Sequence, residues 1–165
     1  MRSGGIAHGP FRILHPAFVI VLVACTPVTA RPDFQPFPQS QTIVLMARPQ
    51  LVIPFLASLV QAESLRVRRS SPRDGYIETD WYDTRTRRSY RGGRVPDLAR
   101  SVKLRGWADP YVPGETMLTL EVSYRPRYDP SRIERDLETP VAEDHDGKKL
   151  AEELLEKLKA RFGSP

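Results

Sequence analysis

The chain has 165 residues, of which 27% are charged and 40% hydrophobic, with 16 prolines, one cysteine and a formal net charge of +5. That length supports one ordinary domain plus a tether, large enough to bury a core without covalent help. A single cysteine excludes an internal disulfide framework.

Residues 1–12 carry Arg2 and Arg12 and no acid, and residues 13–24 read ILHPAFVIVLVA. This is a charged segment followed by an apolar run of the length expected for a secretory signal. The run falls short of the roughly 20 residues a spanning helix needs, and His15 and Pro16 interrupt it. It ends in Leu22-Val23-Ala24-Cys25. Those four residues resemble the lipobox of bacterial lipoproteins. The resemblance implies cleavage before Cys25, lipidation of its sulfur and acylation of the new amino terminus. Two or more acyl chains hold stably where one binds marginally. Thr26 stands where an Asp marks inner-membrane retention in such proteins, so the resemblance implies the periplasmic face of the outer membrane. The competing reading is an ordinary secretory peptide cut near Ala30.

Past the leader, the chain keeps 23 basic and 20 acidic residues, net +3. The charges are uneven: residues 66–105 hold twelve basic and five acidic side chains, and residues 106–165 hold nine and thirteen. A basic patch suits anionic lipid or an acidic envelope protein. The implied compartment argues against nucleic acid. A solvated face of arginines is the plainer alternative.

Residues 25–39 contain Pro27, Pro32, Pro36 and Pro38, a density that excludes a helix or a central strand and predicts an extended tether. A single α+β domain is expected over residues 40–165. Thr42 to Met46 suits a first strand. A helix follows from about 50 to 63, with Leu51, Phe55, Leu56, Leu59 and Val60 near one face and Pro54 disturbing its first turns. Residues 65–68 and 76–83 form a hairpin around Ser71-Pro72-Arg73-Asp74-Gly75, where Asp-Gly is a strong turn signal. Alternation puts Ile77, Thr79 and Trp81 on one side of it, and Tyr76, Glu78, Asp80 and Tyr82 on the other. Residues 84–98 are arginine-rich and contain Gly92-Gly93, which predicts a loop. Val102 and Leu104 alternate with Lys103 and Arg105 in a fourth strand. Leu118, Leu120, Val122 and Tyr124 alternate with Thr119, Glu121 and Ser123 in a fifth. Residues 126–145 should cross the surface. Asp146 is placed to cap a last helix with the stripe Leu150, Leu154, Leu155, Leu158 and Phe162, a Glu153–Lys157 pair, and Gly163 at its end. The expectation is an antiparallel sheet of about five strands in the order β-α-β-β-β-β-α, with the helices packed on one face in a helix-grip-like arrangement.

The segment from Gln50 to Tyr82, with its apolar helix, short strand, turn and Asp74-Gly75-Tyr76-Ile77-Glu78-Thr79-Asp80-Trp81, resembles the opening of the domains in BamC/NlpB-type lipoproteins of the outer-membrane assembly machinery. The resemblance implies an accessory scaffold without catalysis.

Chemistry-bearing motifs are sparse. Asp144-His145-Asp146 falls short of the usual zinc ligand sets and sits where a helix begins. No nucleophile elbow or phosphate-cradling loop occurs. Glu78 and Asp80, on one strand face, are compatible with a hydrolytic carboxylate pair, against the simpler reading of a solvated face. A small envelope hydrolase acting on cell-wall glycan or peptide, through those acids or Asp144/His145, is therefore one alternative, and a small-ligand sensor another. The leading expectation is a lipid-anchored binding or scaffold module without cofactor or metal. Cys25 is its lipidation site. Arg85, Arg87, Arg88, Arg91 and Arg94, with Tyr76, Tyr82 and Trp107, are its partner-binding residues. The aromatics have a second reading as sheet cover, with Trp107 packed under the last helix.

Overall fold

The computed structural model describes residues 29–90, 97 and 100–163. In chain order the elements are β1 (Gln41–Leu45), α1 (Pro49–Ala62), β2 (Val67–Ser71), β3 (Tyr76–Thr79), β4 (Tyr82–Asp83), β5 (Arg88–Ser89), β6 (Ser101–Pro110), β7 (Thr116–Tyr124), a 3-10 turn (Glu134–Leu137), β8 (Thr139–Pro140) and α2 (Asp146–Phe162). The domain is α+β. Its sheet of eight strands is antiparallel at every pairing, in the order β1-β7-β6-β3-β2, with β4 also pairing β6, β5 beside β4, and β8 beside β7. The order differs from the expected one in three places. The strand expected at 76–83 is broken into β3 and β4, the expected loop contributes β5, and the crossing segment contributes the 3-10 turn and β8.

The break between β3 and β4 changes which side chains are buried together. Glu78 faces Arg105 in the register, whereas Tyr82 faces Val102, so one extra residue is inserted on the β3–β4 side. A one-residue slip exchanges the two faces of everything beyond it. Tyr82 therefore joins the apolar core, and Trp81 turns to the opposite face against Lys103 and Arg125. This reverses the sides expected for both. The Leu104 N–H, opposite the irregularity, donates to the Thr79 hydroxyl at 3.1 Å, so the insertion leaves no orphaned donor there.

Both helices cover one face. α1 buries Val52, Ile53, Leu56 and Val60, and leaves Leu51, expected on the apolar stripe, 60% exposed. Pro54 and Gln50, whose carbonyl loses its helical donor, are both exposed residues, so solvent can supply the missing bond and the helix runs on. A Cβ on Gly106 would stand 3.1 Å from Leu56 and 2.9 Å from Ile77, which is how closely α1 sits on β6. α2 adds Ala151, Leu154, Leu155 and Leu158, with Phe162 edge-on to Phe55 at 5.3 Å. Its cap is His145, whose Nδ1 accepts from the Gly147 N–H at 2.9 Å, rather than Asp146. Lys157 pairs with Glu63 at 2.8 Å, across to the end of α1. At the hairpin tip Gly75 has φ of +61°, and a Cβ there would collide with the Ala108 carbonyl, so glycine is required.

Candidate functional site

The face of the sheet away from the helices follows from alternation on the two central strands. Lys103, Arg105 and Trp107 of β6 point there, with Glu121 and Ser123 of β7 and Tyr76 and Glu78 of β3. Alternation alone reads as a solvated outer face, and the structure corrects that reading. All seven of these side chains are buried. Two irregular segments close over them. The first is residues 29–40, of which 29–39 is the described part of the proline-rich stretch expected to be an extended tether. The second is the run from Arg125 to Glu138.

The first segment is fastened along its length. The Ala30 N–H donates to Asp74 at 2.7 Å, Arg31 pairs with Asp109 at 2.8 Å, and the Phe37 N–H donates to Glu121 at 2.7 Å. Phe34 meets Trp107 edge-on with centroids 6.4 Å apart. The Arg135 guanidinium lies 4.3 Å from the Phe34 ring and 3.8 Å from the Phe37 ring, and donates to the Gln35 carbonyl at 3.0 Å. Such cation–π contacts suit an arginine already desolvated by its neighbours.

Under this cover lies a network of fixed charges. Arg105 makes a two-pronged contact to Glu138 at 2.5 and 2.7 Å and reaches Glu121 at 3.1 Å. Arg135 bonds Glu121 at 2.5 Å and Glu138 at 3.2 Å. Lys103 bonds Glu134 and lies 3.5 Å from Glu78. The Tyr76 hydroxyl donates to Glu78 at 3.2 Å. Burial opposes the charge on Glu138, but Arg105, Lys103 and Arg135 outweigh it and hold its pKa below the usual carboxylate range. Glu134 is lowered in the same way, with burial and the like charge of Glu138 outweighed by Lys103 and Arg125. Burial also opposes the charge on Arg105, and Glu138 and Glu78 overcome it, so the guanidinium holds its proton more firmly than usual. Burial, reinforced by Glu78, raises the Tyr76 hydroxyl.

The expected site residues divide into three groups. Cys25, Arg91 and Arg94 lie outside the described residues. Arg85, Arg87 and Arg88 are exposed on the β4–β5 turn. Asp83 builds that turn: its carboxylate accepts the N–H groups of Arg85 and Thr86, both at 2.9 Å. Burial works against the Asp83 charge, but these donors and Arg100 keep its pKa low. Arg87 is committed to Glu63 at 2.7 Å, which leaves Arg85 and Arg88 as the outward cations. Beside the turn is an open cleft of about 230 Å³ whose lining includes Glu63, Arg87, Asp146, Lys149 and Glu153. It is lined by charges of both signs, unlike the enclosed apolar pockets typical of small-ligand sites.

Tyr76, Tyr82 and Trp107 are buried, so the expectation that they stand exposed among the arginines does not hold. Trp107 packs under the residue 29–40 segment, on the side away from α2. The candidate acids are also engaged. Glu78 is in the network, and Asp80 lies 3.4 Å from Arg66. His145 is spent on its cap and stacks on Tyr124 at 6.1 Å. No cluster of three metal-ligating side chains occurs among the described residues, and no described helix is long and apolar enough to cross a membrane. The residues that sequence reasoning missed are Arg125, Glu134, Arg135 and Glu138. The one signal for them was the opposite charge of Arg105 and Glu121 on neighbouring central strands. No protein-family model matches the chain, and no curated protein matches it.

Proposed function

We propose that this chain is a lipid-anchored lipoprotein of the cell envelope, attached through Cys25 to the periplasmic face of the outer membrane. There it acts as a non-enzymatic binding or scaffold module in outer-membrane assembly, with a helix-grip-like domain as in the BamC/NlpB-type lipoproteins. The supporting observation is the path of the chain from Ala30, five residues past the cysteine. From Ala30 onward it is tied to the β2–β3 turn and to the end of β6. An anchor at Cys25 thus holds a domain by one end, in place of one drifting on a long leash. Arg85 and Arg88 sit at the other end of β6, roughly 26 Å away at about 3.3 Å per residue. They would face the periplasm, where an exposed cationic turn suits an acidic protein surface.

Two measurements test this. The mass of the amino-terminal peptide from membrane-purified protein should carry diacylglyceryl and acyl groups on residue 25. Crosslinking in intact envelopes should recover a partner from the wild type, and less of it from the Arg85→Glu/Arg88→Glu variant at an unchanged melting temperature. Unmodified sulfur would overturn the anchor, and equal recovery would overturn the role of the turn.

A further inference from the structure

The large exposed apolar side chains are concentrated at one end of the molecule. Val44, Met46, Leu51, Tyr111, Val112 and Met117 make up six of the eight among the described residues. Leu51, Tyr111 and Met46 are the most open of these, at 60%, 58% and 52% exposure. Their grouping follows from the topology. Val44 and Met117 are register partners on β1 and β7. Tyr111 and Val112 form the β6–β7 turn, closed by Tyr111 N–H to the Glu115 carbonyl at 3.2 Å. Leu51 stands in the first turn of α1, and the Thr116 hydroxyl ties β7 to the β1–α1 connection through the Ala47 carbonyl at 2.5 Å.

Thr29 is at this same end. It lines a cleft with Pro49, Gln50, Asp74 and Pro110. Four peptide steps separate it from Cys25, a reach of at most about 14 Å. Arg48 and Arg73 are exposed at the same end, Arg48 just before α1 and Arg73 in the β2–β3 turn.

We propose that this end is a membrane-seating tip, with Tyr111, Val112, Leu51 and Met46 entering the headgroup and upper acyl region of a phospholipid bilayer. The proposal rests on the lipid-anchor reading. It goes further by naming which surface the bilayer touches. Exposed apolar patches of this kind mark interaction sites, and a bilayer is the occupant that the short reach from Cys25 brings to this one. Tyrosine is favoured at the interfacial level, and arginines beside it can meet lipid phosphates. Because the acyl chains already supply residence, the tip sets orientation. The cationic β4–β5 turn then points away from the lipid.

The test uses the membrane-purified full-length product reconstituted into phosphatidylcholine/phosphatidylglycerol vesicles, with and without brominated acyl chains. Tyr111→Trp places a fluorophore at the tip, and Glu143→Trp places one at the far end. Trp81 and Trp107 are buried, so the wild type is the blank. Tyr111→Trp should shift to shorter wavelength and be quenched in brominated vesicles, and Glu143→Trp should not. Adding Leu51→Asp to Tyr111→Trp should reduce the quenching without lowering the melting temperature. Equal quenching at both ends, or none at the tip while the protein still floats with the vesicles, would overturn the proposal. So would a concentration-dependent dimer that shields Tyr111→Trp from lipid, since a second copy would then be the occupant. If the amino-terminal peptide carries no acyl mass, the anchor reading fails separately. The tip is then judged by the same quenching comparison on chain coupled through the Cys25 thiol to a maleimide lipid.

Discussion

The two faces of the sheet are both buried, but by different physics. The helix-covered face is a continuous apolar cluster running through Leu56, Leu104, Leu120 and Leu154. The opposite face is closed by irregular segments over Arg105, Glu121, Glu138 and their partners. Apolar packing is forgiving, because neighbouring methyl groups can partly collapse into a vacated space. A desolvated charge network is not. Its members are costly to bury, and their attraction offsets that cost only while each keeps its partner. What the charged face provides is location. Phe37 is held by Glu121, and Arg135 is held between Glu121 and the rings of Phe34 and Phe37, so the network fixes where the amino-terminal segment lies.

The sharpest way to break this comparison is to remove one charge. Arg105→Met strands Glu138 without its two-pronged partner and should cost about 3–5 kcal/mol. Leu154→Ala on the other face should cost about 2–5 kcal/mol. The discriminating variant is Arg105→Met with Glu138→Leu. Removing both charges should restore much of the lost stability in a denaturant titration, whereas no second substitution of a charge should rescue Leu154→Ala.

Acid separates the faces more gently. Glu134 and Glu138 have lowered pKa values in the folded chain. Their contribution is therefore fully present above the ordinary carboxylate range of about 4 and is lost as pH falls through the lowered values. Below that range the amino-terminal segment should loosen while α2 stays protected, as followed by amide exchange against pH. The smallest effect concerns the helix cap: His145→Ala removes the acceptor for the Gly147 N–H and should cost about 1 kcal/mol by thermal melting.

Much of the apolar face was legible in the sequence. The alternation over residues 118–124, the stripe around Leu154 and Leu158, and the Asp74-Gly75 turn are local patterns, and the structure repeats them. The faces of Trp81 and Tyr82 were not, because they depend on a register shift against β6 that only the paired strand reveals. The charged face was half legible. Lys103, Arg105 and Glu121 share a side by period two, but periodicity does not say whether a side is covered. Its cover is made of Phe34, Phe37 and the run ending at Glu138, which have no repeating pattern. For the same reason Tyr76 and Trp107 read as open to partners when Phe34 and its neighbours lie over them. The β4–β5 turn was legible only as the start of an arginine-rich loop over residues 84–98, without the β5 pairing that closes it. The Asp83 carboxylate that shapes it, and the commitment of Arg87 to Glu63, are contacts across the fold and left no local mark.

The central claim is that the chain from Ala30 to Phe37 is part of the domain, clasped by the charged face. The most direct test is amide hydrogen exchange of the Phe37 N–H in the full-length protein at neutral pH, compared with β7. Protection of Phe37 well above a free-chain rate, abolished by Arg135→Ala while β7 stays protected, is the expected result. Exchange of Phe37 at the rate of an unstructured tether would contradict the account.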